Sequence, residues 1–205
     1  MIHAFPKIFA IGTDYIKDIF KESVEITEKI DGSQFVFGKI NGEIYMRSKG
    51  AIQYKDKHDK MFSCAVDYVL SIEAKLPEGV VFYCEYLKEP RHNILKYNRI
   101  PKNHLILFGI SGLEGSFRSD LLNYSTLLDI DHVPVIGESM VIEKAEDIFD
   151  LINRESVLGG TNVEGIVVKN YQRPFLLGGQ PIPLMAGKYV SERFKETHKE
   201  NWGKE

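Results

Sequence analysis

Asn41-Gly42 constrains this chain more than any other dipeptide in it. Both residues tolerate positive φ, as the central pair of a two-residue hairpin must, and the twist of such a turn matches that of the strands it joins. The runs on either side read as strands: 34–40, rich in Phe and Val, and the return strand 43–48. Antiparallel pairing is therefore expected at the heart of the fold. Upstream, residues 24–30 place Val24, Ile26, Glu28 and Ile30 on one face at a period of two, a strand that enters the same meander.

The rest of the chain follows the same vocabulary. Phe62, Ala65, Val66, Val69, Ile72 and Leu76 make a helical stripe over 61–76, read as packing, and Pro77-Glu78-Gly79 stops it. Strands are expected at 80–87, 104–111, near Val133, at 163–169 and at 184–190, with short helices at 120–128 and 145–154. A Pro/Gly-rich stretch (Pro174, Gly178, Gly179, Pro181, Pro183) precedes the last strand, and Ser191 is placed to N-cap a charged terminal helix. Many strands with helices outside them predict an α+β fold, mostly antiparallel, as a single domain over 1–205.

Composition narrows the partners. At 205 residues, 43% hydrophobic and 27% charged, the chain can bury a proper core. A net charge of −3 and a pI near 6.1 argue against binding nucleic acid through bulk positive charge, but leave room for a local groove. Lys88, Arg91, Lys96, Arg99 and Lys102, with Glu89 as the only counter-charge in the run, suit either such a groove or a solvated loop. Cys64 and Cys84 lie too far apart for a metal knuckle or redox pair, so a reducing compartment is expected. No run reaches the length of a membrane span, and Asp14, Lys17 and Asp18 interrupt the first twenty residues unlike a signal peptide. A cytoplasmic location without a membrane partner is the expectation.

Chemistry enters with Lys29-Ile30-Asp31-Gly32. A lysine facing a pocket becomes a nucleophile once neutral. An aspartate at the turn can fix an ammonium or a sugar hydroxyl, and a glycine lets the backbone approach a phosphate or ribose. The same four residues also suit a polar turn with a solvated lysine. Three further strands each carry one charge in an apolar setting, Glu85, Glu164 and Lys188, and Lys169 would add a third cation. Buried charge is costly unless paired or used, so these residues read as one polar pocket between sheets or as edge charges facing water.

The order and spacing of these segments resemble the covalent nucleotidyltransferases, most closely the RNA ligase 2 type. The segments are Lys29-Ile30-Asp31-Gly32, Phe82-Tyr83-Cys84-Glu85, Leu105-Ile106-Leu107-Phe108, Glu164-Gly165-Ile166-Val167-Val168-Lys169 and Gly187-Lys188-Tyr189-Val190, with Thr27-Glu28 before the lysine and Ser33 after Gly32. The resemblance implies a nucleotidyltransferase, ATP-grasp-like domain whose antiparallel sheets hold a nucleotide pocket between them. It implies an ATP-dependent RNA ligase: Lys29 would attack the α-phosphorus of ATP, forming lysyl–AMP and releasing pyrophosphate. AMP would then pass to an RNA 5′-phosphate, and a 3′-hydroxyl, in single strands or at a nick, would displace it.

The resemblance also implies roles. Lys169, Lys188 and a bound Mg²⁺ or Mn²⁺ would push the Lys29 pKa down and neutralise charge developing on the phosphates. Glu164 would orient the ribose or a metal-bound water, Glu85 would hold the ribose hydroxyls, and Phe108 would stack on adenine. Glu28 would help read the base edge, and Ile30, Asp31 and Gly32 would complete the nucleotide-binding turn. Arg47 or Lys49, depending on register, would contact the AMP phosphate or the 5′-phosphate end. No protein metal ligands are identified, since a hydrated ion leaning on phosphates needs few.

Two departures from the pattern stand out. Where the family has a second lysine two residues after Lys188, this chain has Val190, so one phosphate contact is missing or comes from elsewhere, with Arg193 or Lys195 as candidates. No OB-fold or C-terminal ligase domain is evident, which predicts a minimal enzyme or a catalytic-domain fragment. The stretch before Lys29 is short for the extra domain of an NAD-using ligase, which favours ATP. Competing readings are a DNA ligase core or GTP-using relative, and a protein that binds nucleotides or nucleic-acid ends without turnover.

Overall fold

The computed structural model describes residues 2–173 and 175–202, and the backbone alone at 197, 198 and 200–202; Pro174, in the expected Pro/Gly-rich stretch, lies outside the described residues. Eight strands of six or more residues carry the architecture among the described residues: β1 (Val24–Lys29), β2 (Ser33–Ile40), β3 (Glu43–Ser48), β4 (Val80–Tyr86), β5 (Leu105–Gly112), β6 (Val135–Met140), β7 (Gly165–Asn170) and β8 (Met185–Val190). Three α-helices accompany them among the described residues: α1 (Ser63–Ser71), α2 (Leu121–Leu128) and α3 (Glu192–Trp202). The fold is α+β with mostly antiparallel sheets, as the sequence predicts. The chain forms two compact units, one of Met1–Phe5, Gly32–Pro90 and Arg99–Val133, the other of Pro6–Asp31, Arg91–Asn98 and Pro134–Glu205.

In the first unit the sheet runs Ile52–Gln53, β3, β2, β4, β5, Phe117–Arg118, with Asp131–His132 pairing β5 in parallel. Asn41 and Gly42 take φ of 52° and 78°, and Ile40 faces Glu43 across the two-residue turn that this dipeptide favours. One face buries Phe35, Phe37, Phe82, Tyr86 and Leu107. Phe62 packs 5.4 Å from Phe35, and Tyr124 of α2 packs 5.4 Å from Phe82. The stripe expected over 61–76 is buried, but the helix is broken: α1 ends at Ser71 and a 3₁₀ turn, Glu73–Lys75, follows. Register sets Arg47 beside Val36 and Tyr83, and Gln34 beside Glu85, on the opposite face of this sheet.

In the second unit the sheet runs Phe9–Ala10, β8, β7, β1, β6. Side chains alternate across a strand, and here the two faces differ sharply. Val24 and Ile26 of β1, Ile166 and Val168 of β7 and Met185 of β8 join Ile16, Ile19, Ile142 and Ile148 in the core. The other face carries Glu25, Thr27 and Lys29 of β1, opposite Lys169, Val167 and Gly165 of β7, with Lys188 of β8 opposite Val167.

The strand expected near Val133 is in fact two, Asp131–His132 in the first unit and β6 in the second, and β6 slips register twice against β1. The helix expected over 145–154 is a 3₁₀ helix, Ala145–Ile152, whose Asp147 carboxylate accepts from the Lys144 N–H at 3.0 Å. Ser191 caps α3 as predicted, its Oγ accepting from the Phe194 N–H at 3.2 Å. No helix among the described residues is long and apolar enough to cross a membrane.

Candidate active site

The expected site residues divide between the units: Glu28, Lys29, Ile30, Asp31, Glu164, Lys169 and Lys188 lie in the second, and Gly32, Arg47, Lys49, Glu85 and Phe108 in the first.

In the second unit Lys29 ends β1, and its Nζ donates to Glu164 Oε2 at 2.8 Å. The lysine side chain is 22% exposed and the carboxylate 7%, so the pair sits at the rim between core and solvent. Burial pushes the Glu164 carboxyl up from its ordinary range, and the charges of Lys29 and Lys188 pull against that. Gly165, next in the chain, is a glycine because β8 passes against it: a Cβ there would lie 2.2 Å from the Tyr189 carbonyl oxygen. A cavity of about 890 Å³, lined in part by Asp31, Asn93, Glu164, Lys188 and Val190, opens beside the pair. An amine, a carboxylate and a second cation at such a cavity can receive a polyanion and attack it.

Lys169 is not part of this cluster. It pairs with Glu25 at 3.0 Å, and both side chains are almost fully buried, 1% and 3% exposed. Tyr171 adds a second donor to the same Glu25 oxygen at 2.8 Å. Burial pulls the Lys169 pKa down while Glu25 pulls it back. The register explains the separation: Gly165 faces Lys29 and Lys169 faces Glu25, four residues or about 13 Å further along β1. The expectation of Lys169 as a third cation beside Lys29 is corrected accordingly.

Two acids next to Lys29 are also engaged elsewhere. Glu28 lies one residue from Lys29 on the strand and so faces the other way. Its carboxylate accepts from Ser156 Oγ at 2.5 Å and the Val157 N–H at 3.0 Å, and burial pushes its pKa up against those bonds. It anchors a loop where the resemblance implied a reader of the base edge. Asp31 Oδ2 accepts from the N–H groups of Ile94 and Leu95, both at 2.8 Å, and its own N–H donates to the Tyr97 hydroxyl at 2.9 Å. It clasps the 91–98 segment, where a grip on an ammonium or sugar was expected. Ile30 is buried between these two.

In the first unit, the protein itself leaves no room for a side chain at Gly32: a Cβ would come within 2.9–3.0 Å of Leu87, Glu85 and the Tyr86 carbonyl. Arg47, not Lys49, lies on the sheet face of Glu85. Its guanidinium donates to the carbonyls of Ser48 (3.1 Å), Ile2 (3.3 Å) and Lys49 (3.4 Å), and Lys49 is exposed in the turn beyond β3. Phe108, expected to stack on adenine, is 9% exposed and packs edge-on to Phe5 at 5.0 Å. The basic run also divides, Lys88, Arg99 and Lys102 in the first unit and Arg91 and Lys96 in the second. Arg99 pairs with Asp131 and Lys102 with Asp129, counter-charges that do not lie in the run itself.

Sequence reasoning missed Glu25, Tyr97 and Ser156, each of which holds a residue it had singled out. Only Glu25 left a local signal, its place two strand repeats before Lys29 on the same face. Among the described residues no group of three or more His, Cys, Asp or Glu side chains could hold a metal ion.

A family model described as RNA ligase matches residues 22–182. No curated protein matches the chain. Among solved structures, Naegleria gruberi RNA ligase with PPi matches with a TM-score of 0.66 at 17% identity, over 98% of this chain and 61% of that one. A mutant of that ligase with ATP and Mn gives 0.68 at 17% identity, over 97% and 60%. Another mutant, with AMP and Mn, gives 0.65 at 16% identity, over 96% and 58%. The chain thus spans 58–61% of the length of these solved chains, and at such identities the likeness is one of fold.

Proposed function

The chain belongs to the RNA ligase family, and from that membership we propose that it is the adenylyltransferase domain of an ATP-dependent RNA ligase. The observation that carries the reading is the Lys29–Glu164 pair at 2.8 Å beside Lys188 at the cavity. Lys29 Nζ gives up a proton and attacks the α-phosphorus of ATP; the bond to the β-phosphate oxygen breaks and pyrophosphate leaves. Glu164, within hydrogen-bond reach and with a raised pKa, is placed to receive that proton. Lys188 offers charge to the phosphoryl oxygens.

An oxygen of an RNA 5′-phosphate then attacks the lysyl–AMP phosphorus, the N–P bond breaks, and the amine takes back a proton. Attack by a 3′-hydroxyl on the activated 5′-phosphorus releases AMP and leaves a phosphodiester. Glu164, a hard carboxylate donor, would be the residue to hold a hydrated Mg²⁺ or Mn²⁺, and the ion would supply charge neutralisation. Family membership supports assigning ribose contact to Glu85, base contact to Phe108 and phosphate contact to Arg47 in the first unit.

The test is end-joining. With ATP and Mg²⁺ the wild type should join 5′-phosphorylated RNA to a 3′-hydroxyl end, and Lys29→Ala should not. Running all four nucleotides against nicked and single-stranded RNA and DNA identifies the substrates. Sealing of DNA nicks alone, or labelling by GTP alone, would replace this reading.

A further inference from the structure

The cavity at Glu164 extends along α3, where Lys195 and Lys199 line it together with Lys188 and Phe194. Residues four apart on a helix share a face, with Cβ atoms about 5–6 Å apart. Three ammonium-bearing side chains therefore meet two carboxylates, Asp31 and Glu164, on the cavity wall. Both carboxylates already have partners: Asp31 binds the N–H groups of Ile94 and Leu95, and Glu164 binds Lys29. Lys195 reaches Glu192 at 2.6 Å, but this is an i,i+3 pair with side chains 48% and 74% exposed, the sort of contact that is worth little and exchanges readily. Three ammonium groups against two carboxylates, one of which is already paired with Lys29, give the wall a positive balance, and a cavity of about 890 Å³ is of ligand size.

We propose that Lys188, Lys195 and Lys199 form a phosphate-binding subsite in this cavity, two of its three cations being supplied by α3. The inference rests on the reading of Lys29 as the residue that takes up AMP, because it gives a phosphate group of that reaction a place to sit in the cavity that Glu164, the partner of Lys29, lines. Two anions of the reaction share this chemistry: the pyrophosphate end of ATP and the 5′-phosphate of an RNA.

Calorimetric titration separates them. Inorganic pyrophosphate and a short 5′-phosphorylated oligoribonucleotide are each titrated into the wild type, Lys195→Gln, Lys199→Gln and the double variant. Glutamine keeps a helix propensity close to that of lysine, and circular dichroism checks the fold. Lys75→Gln, on an exposed 3₁₀ turn, controls for general charge. Each single change should weaken at least one of the two ligands about tenfold and the double change about a hundredfold, with the loss shrinking as salt rises. A response of pyrophosphate alone assigns the subsite to ATP, and a response of the oligonucleotide alone assigns it to the RNA end; both support it. Unchanged affinity for both ligands in the double variant overturns it, as does a wild type that binds neither. A wild type that binds pyrophosphate but never takes up AMP overturns the proposed function and leaves the subsite standing.

Discussion

Replacing Lys169 by methionine removes one half of an ion pair whose side chains are 1% and 3% exposed. Leaving the Glu25 carboxylate buried without its cation costs about 3–5 kcal/mol. The Tyr171 hydroxyl, 2.8 Å from Glu25 Oε1, remains as a donor and favours the lower part of that range. For a chain of this length each kcal/mol lowers the melting temperature by roughly 2–4 °C, so the loss should be about 6–20 °C. Exchanging both partners, Lys169→Met with Glu25→Leu, should recover most of it, because apolar packing replaces a buried pair at little cost. Melting is followed by circular dichroism, and AMP uptake is measured well below the melting temperature of the weakest variant. The double variant should still take up AMP although both the acid and the lysine are gone. If Lys169→Met melts within about 2 °C of the wild type yet loses AMP uptake, Lys169 acts on the phosphates and the structural assignment is refuted.

Other perturbations test neighbouring parts. Gly165→Ala would push a Cβ to 2.2 Å from the Tyr189 carbonyl oxygen, which should cost about 1–3 kcal/mol or more and lower melting; an unchanged melt would mean that β8 yields freely. Because burial raises the Glu164 pKa, the folded chain holds that proton more tightly than the unfolded one. Its contribution to stability is therefore full below the ordinary value of 4.5 and is lost as pH rises through the higher folded value. Glu164→Gln should remove this pH-dependent loss, and a wild-type-minus-variant difference that is flat with pH across the window would contradict it. Ser156→Ala strips one donor from the buried Glu28, so melting should fall by the equivalent of about 1–3 kcal/mol with AMP uptake unchanged. A loss of uptake without a loss of stability would return Glu28 to the nucleotide.

What could be read from the sequence depended on how local the deciding contact was. Asn41-Gly42 and the alternation of Val24 and Ile26 with Glu25 and Thr27 are local, and both the hairpin and the two faces of β1 follow from them. The partner of Lys169 is not local: Glu25 lies 144 residues away, and antiparallel register decides which side chain on β1 it meets. Asp31 is taken up by backbone donors 63 and 64 residues further on, which no motif announces. β6 was hidden for another reason, since two register shifts around Gly137 erase the alternation by which a strand is recognised. Lys29 and Glu164 each stood out in the sequence because each ends or borders a strand that it already marks, but their pairing, across 135 residues, is again set by register.

Lys29 as the nucleophile is tested most directly by peptide mapping of the folded protein after incubation with ATP and Mg²⁺. The expected result is a single AMP on the peptide that carries Lys29, and none in a Lys29→Ala variant that melts like the wild type. AMP found on Lys188 or Lys169, label that persists in Lys29→Ala, or a folded wild type that takes up none would contradict it.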